Sequence, residues 1–187
     1  MDPVKAEEAS TLYHVLAMPY PGRSHINAMM NLCKILVSKN NNILVTFVVT
    51  EEWLGFIGSD PKPDNVRFSS IPNVIPSELV RAANFNAFIE ATRTKLEAPF
   101  VRLLDQLEPP VTVIMADTFL SWAVGVGNRR NIPVASFWPM SQSMFTIMQH
   151  ADLLVKNGHL PADSGEYVFN TNSFRLPLLL LLCILSK

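Results

Sequence analysis

A short apolar run, Tyr13–Met18, stops at Pro19-Tyr20-Pro21-Gly22. Past that turn Ile26, Met29, Met30, Cys33, Leu36 and Val37 recur at three- and four-residue spacing. The run has the length and flanks of a buried parallel strand, and the spacing is that of an amphipathic helix ending near Lys39 at Asn40-Asn41-Asn42. Ser24 is placed to cap it. A strand feeding straight into a helix start is the unit from which open α/β sheets are built, and it delivers His25 to the first turn of the helix.

The rest of the chain repeats the unit. Residues 43–49 (ILVTFVV) form a second, β-branched strand, Glu51–Ile57 a short helix, and Val66–Ile71 a third strand after a Pro/Asp loop. Residues 79–107 carry one long helical pattern that Pro99 breaks or kinks. Residues 111–116 form strand four, 119–128 a helix, Val134–Phe137 strand five and 140–156 a last helix. The fold class expected is therefore α/β: a Rossmann-like parallel sheet with helices on both faces. Residues 1–12 read as a flexible leader and 13–163 as one lobe. Residues 164–187 read as a divergent apolar tail, whose run of about ten apolar residues is half of what a bilayer requires.

Composition removes several function classes. A net charge of −1 with scattered Lys and Arg argues against nucleic acid, and the Arg129-Arg130 pair reads as a solvated helix end. Two cysteines, Cys33 and Cys183, exclude a disulfide scaffold and a four-thiolate zinc site and fit a reducing compartment. The polar, acidic leader is unlike a signal or transit peptide, so a cytoplasmic location without a membrane span is expected. No metal-ligand spacing is found. Gly125-Val126-Gly127 lacks the third glycine of a dinucleotide fingerprint, and Gly22-Arg23-Ser24-His25-Ile26 lacks the second glycine of a nucleophile elbow.

What remains is a pair. In a sheet ordered 3-2-1-4-5, strands one and four are neighbours and the connection reverses between them. His25, just past strand one, and Asp117, just past strand four, meet at one rim. A carboxylate behind an imidazole fixes its tautomer and stabilises the imidazolium, while the helix start disfavours that charged form; together they suit a general base. The competing reading is a capping histidine and a solvated aspartate. His14 inside strand one reads as core, and His150 and His159 as surface. Phe119, Trp122, Phe137, Trp138 and Phe145 are able to line an apolar pocket near the rim or to serve as ordinary core; Phe85 and Phe88 are weaker choices.

The segment His14-Val15-Leu16-Ala17-Met18-Pro19-Tyr20-Pro21-Gly22-Arg23-Ser24-His25-Ile26-Asn27 resembles the opening motif of plant UDP-dependent glycosyltransferases acting on small molecules. Met115-Ala116-Asp117-Thr118-Phe119 with Trp122-Ala123, then Asn131-Ile132-Pro133 and Ser136-Phe137-Trp138, continue the likeness in order, over residues 13–161. The resemblance implies the amino-terminal, acceptor-binding lobe of a GT-B fold. It implies His25 as the base that deprotonates a hydroxyl of a small apolar acceptor, Asp117 as its partner, and inversion at the sugar. A UDP-sugar is the implied co-substrate, with no metal or further cofactor. The five aromatics fall to the acceptor. Ser24 and Ser141 fall to the donor, Ser141 because Pro139 stands where the family often has a donor-binding Thr or Ser. Ser24 and Ala28 also depart from the family's usual Gly and Pro. The donor lobe, with its Trp/His/Gln/Glu signature, has no counterpart in the chain. The expectation is therefore a fragment inactive alone, or else a non-catalytic small-molecule-binding or partner-pairing lobe.

Overall fold

The computed structural model describes residues 12–159; residues 1–11 of the leader, residues 160–163 of the expected lobe and the tail read above lie outside them. Five strands form one parallel sheet in the order β3-β2-β1-β4-β5. They are β1 (Tyr13–Met18), β2 (Ile43–Thr50), β3 (Val66–Ile71), β4 (Val113–Asp117) and β5 (Val134–Phe137). The register sets Leu16 beside Thr46 on one side and beside Ile114 on the other, so β1 is central and sealed on both faces. The α/β Rossmann-like reading and the 3-2-1-4-5 order both hold.

Alternation along the strands divides the core in two. Leu16 and Met18 of β1 face the side covered by α4 (Glu97–Leu104) and α5 (Trp122–Arg130), where Leu96, Phe100, Leu120 and Val126 are buried. Val15 and Ala17 face the other side, covered by α1 (Arg23–Lys39) and α2 (Glu51–Ile57) through Ile26, Met29, Cys33, Trp53 and Ile57. This two-periodicity in the strands against a 3.6-periodicity in the helices is what made the layers readable. Arg129 and Arg130 are not merely solvated: they pair with Glu97 and Asp105, joining α5 to α4.

The strand expected at 111–116 and the helix expected at 119–128 are shifted to Val113–Asp117 and Trp122–Arg130, and three further boundaries differ from expectation. The 79–107 pattern is not one helix but a 3-10 turn (Arg81–Asn84), α3 (Phe85–Thr94) and α4. The break falls at Lys95-Leu96, ahead of Pro99. A proline is tolerated only in the first turn of a helix, where its missing N–H has no partner to lose, so α4 restarts to place Pro99 there. The 140–156 pattern also splits, at His150, into α6 (Gln142–Gln149) and α7 (Ala151–Lys156). At α1, Gly22 rather than Ser24 is the cap: the Gly22 carbonyl already accepts from Ile26 N at 3.0 Å, no side chain caps the end, and Ser24 is exposed.

Candidate active site at the carboxyl edge of the sheet

Because β1 and β4 are parallel neighbours, both end at the same edge, and each delivers one polar side chain. Asp117 is the last residue of β4 and is 1% exposed. A carboxylate so buried is costly unless its charge is met. Here it is met twice: His25 Nδ1 lies 2.7 Å from Oδ2, and the Phe119 amide donates to Oδ1 at 3.1 Å. The geometry sets the tautomer, since an acceptor-only carboxylate demands the proton on Nδ1 and leaves the lone pair on Nε2. His25 keeps 18% of its side chain in contact with solvent, while that of Asp117 has none. The buried carboxylate and its 2.7 Å hydrogen bond to the imidazole exclude the capping-plus-solvated reading of these two residues.

Aromatic rings pack around the imidazole. Tyr20, in the turn after β1, has its ring centroid 5.3 Å from that of His25, and Phe119 stands 5.8 Å away on β4's outgoing turn. Phe119 continues to Trp138 at 5.8 Å and Trp138 to Phe145 at 5.4 Å. Tyr20 meets Phe88 of α3 edge-on at 5.8 Å. Burial pushes the Tyr20 phenol above its ordinary pKa, a shift only partly offset by the Thr92 hydroxyl and the Arg81 charge, so the ring stays a neutral wall at physiological pH.

Of the residues expected from sequence, His25, Asp117, Phe119, Trp138 and Phe145 come together in this connected group. Trp122 does not join it: its ring packs edge-on against Phe100 at 5.2 Å and its Nε1 donates to Thr92 O at 3.1 Å, inside the core. Phe137 packs on the α1 side of the sheet. Ser24 is solvent-exposed, and the Ser141 hydroxyl accepts from Met144 N as the cap of α6. His14 is core, and His150 and His159 are exposed, as read. Tyr20 and Arg81 were missed. Tyr20 was visible within the turn motif, whereas Arg81 reaches the site only by folding back over a sixty-residue separation.

A parallel five-stranded α/β lobe in the order 3-2-1-4-5, with a histidine–carboxylate pair at its carboxyl edge, has the architecture of one Rossmann-like lobe of a GT-B fold. No protein-family model matches the chain. It is 60% identical over 154 residues to UDP-glycosyltransferase 87A2 of Arabidopsis thaliana and 59% identical over 149 residues to UDP-glycosyltransferase 87A1 of the same plant. These matches cover 82% and 80% of this chain and 34% of each relative. Among solved structures it superimposes on UDP-glucose:anthocyanidin 3-O-glucosyltransferase in complex with UDP, with a TM-score of 0.64 at 26% identity, over 77% of this chain and 33% of the other. The chain belongs to the plant UDP-glycosyltransferases, and it spans about a third of the length of the curated relatives it matches. No helix among the described residues is long and apolar enough to cross a membrane.

Proposed function

We propose that this chain is the acceptor-binding lobe of an inverting, UDP-sugar-dependent glycosyltransferase for small hydroxylated apolar molecules. His25 acts as general base. Nε2 takes the acceptor's hydroxyl proton; the oxygen attacks the anomeric carbon from the face opposite UDP; the C1–O bond to UDP breaks and UDP leaves. Asp117 holds Nδ1–H and balances the imidazolium as it forms. The aromatic wall of Tyr20, Phe119, Trp138 and Phe145 packs the acceptor's apolar body. The observation that carries this reading is the 2.7 Å pair of a partly exposed imidazole with a fully buried carboxylate.

In the GT-B arrangement the nucleotide sugar is gripped by a second lobe, so the 187-residue chain is expected to show no turnover with UDP-glucose. The test grafts residues 12–159 in place of the matching segment of UDP-glycosyltransferase 87A2. The chimera is expected to glycosylate an aromatic alcohol, and His25→Ala to lower kcat by about two to four orders of magnitude with the circular dichroism unchanged. Undiminished turnover in that variant removes His25 as the base.

A further inference from the structure

Arg81 opens the 3-10 turn between β3 and α3, and its guanidinium is folded back onto the site. Nη1 donates to the Pro21 carbonyl at 3.1 Å, and Cζ stands 5.0 Å over the Phe88 ring, which itself leans on Tyr20. A methyl placed on Gly22 would touch both ends of the arrangement: Arg81 Nη1 would be 3.4 Å from it and His25 Cδ2 3.9 Å. The cation and the base are therefore close neighbours on one rim.

The way Arg81 is held leaves half of it unused. Glu78 Oε2 lies 2.9 Å from Nη1 but off the N–H axis, so the contact is an ion pair without a hydrogen bond. Among the described residues, the hydrogen bond and the ion pair of the guanidinium both fall on Nη1. Nε–H and the two N–H groups of Nη2 have no hydrogen-bond partner among the described residues, and 28% of the side chain is open to solvent. The Nε/Nη2 edge is the fork that matches the two oxygens of a carboxylate.

We propose that Arg81 selects acceptors bearing a carboxylate, so that the substrate class is an aromatic hydroxy acid. The carboxylate is bound side-on by Nε–H and Nη2–H, the ring lies against the half-buried Tyr20, with Phe88 buried behind it, and the hydroxyl is left at His25. Glu78 tempers the site, since its charge partly cancels that of Arg81 and weakens anion binding. The inference rests on the acceptor-lobe reading above and adds a specificity that reading does not contain.

Calorimetric titration of the 187-residue chain with 4-hydroxybenzoate and with its neutral counterpart 4-hydroxybenzamide tests it. The wild type is expected to bind the acid about tenfold more tightly than the amide, the scale of a charge-assisted hydrogen-bond pair. Arg81→Gln is expected to erase that preference while leaving amide affinity within about twofold, and Glu78→Gln to enlarge the preference. Equal wild-type affinities, or a preference that survives Arg81→Gln, overturn the role of Arg81 and leave the acceptor lobe standing. Loss of both ligands in a folded Arg81→Gln variant makes Arg81 a structural hook on the Pro21 turn and likewise overturns charge selection. Failure of the folded wild type to bind either ligand overturns the acceptor-lobe reading, and this inference with it.

Discussion

At the scale of single residues, the two histidines of β1 and α1 show how partners decide chemistry. His25 faces an anion and solvent. His14 is 1% exposed and faces a carbonyl and a hydroxyl: Nδ1 lies 2.6 Å from Pro109 O and Nε2 2.7 Å from Thr46 Oγ1. Arg67 Nε donates to that same hydroxyl at 2.7 Å, so the Thr46 proton is turned to His14 Nε2 and the imidazole is held neutral. Burial is the main reason its pKa lies below 6.5, with Arg67 adding to the shift and the Pro109 and Pro110 carbonyls opposing it. The sign follows: the unfolded chain binds the proton more readily, so this contribution is complete above pH 6.5 and is lost as the pH falls through the folded-state value. In urea titrations at pH 7.5 and pH 5.5, the wild-type midpoint is expected to fall further between the two than that of His14→Gln. An equal fall in both assigns the acid sensitivity to other groups. Asp117→Asn is the sharper substitution at the site, because the amide keeps the Phe119 contact and loses the anion behind Nδ1–H. In the chimera it is expected to cost about two to four orders of magnitude in kcat, with acceptor KM little changed.

Elements carry the site only if their packing distances hold, and α5 against β5 is the tightest case. A Cβ on Gly127 would lie 2.2 Å from Val134 Cγ2 and 2.7 Å from the Ile132 carbonyl. The helix ends just beyond, where Asn131 takes φ of 54° and the Ile132 amide returns to Gly127 O at 3.0 Å. The chain then runs into β5 and on to Trp138. Gly127→Ala is therefore expected to destabilise the lobe by about 1–3 kcal/mol, read as a lowered urea midpoint, whereas Gly55→Ala, with open space around it, is not. The same elements show what a sequence reveals. β-branched runs and helical spacing mark all five strands and, through the reversal between β1 and β4, bring His25 and Asp117 together from the sequence alone. The 81–104 region resisted, because apolar spacing continues across a break that Pro99 imposes from three residues downstream. Trp122 keeps two readings in sequence, pocket or core, for a related reason: an aromatic next to the site motif suits either, and only the fold shows it turned onto Phe100. Arg81 carries no local signature at all, since its partners Pro21 and Phe88 are assembled by tertiary contact.

At the scale of the whole molecule, the described lobe is chemically one-sided. Its buried charge, its partly exposed imidazole and its connected aromatics from Tyr20 to Phe145 all suit an apolar molecule with a hydroxyl. The two hydroxyls that the family resemblance assigns to the donor differ in what holds them. Ser24 stands in solvent on the first turn of α1, and the Ser141 hydroxyl is committed to the end of α6. A nucleotide diphosphate needs several fixed donors or cations to repay its desolvation. At this edge Arg23 lies 5.4 Å over Trp53, and Arg81, bound to Pro21 through Nη1, keeps one guanidinium edge, enough for a single carboxylate but not for a diphosphate. The acceptor and donor functions are thus expected to separate in solution. By calorimetry the 187-residue chain should bind an aromatic alcohol in the micromolar to millimolar range and give no heat with UDP-glucose, while the two-lobe chimera should bind both. Saturable binding of UDP-glucose to the chain itself would place donor recognition in this lobe and remove the division of labour on which its proposed role depends.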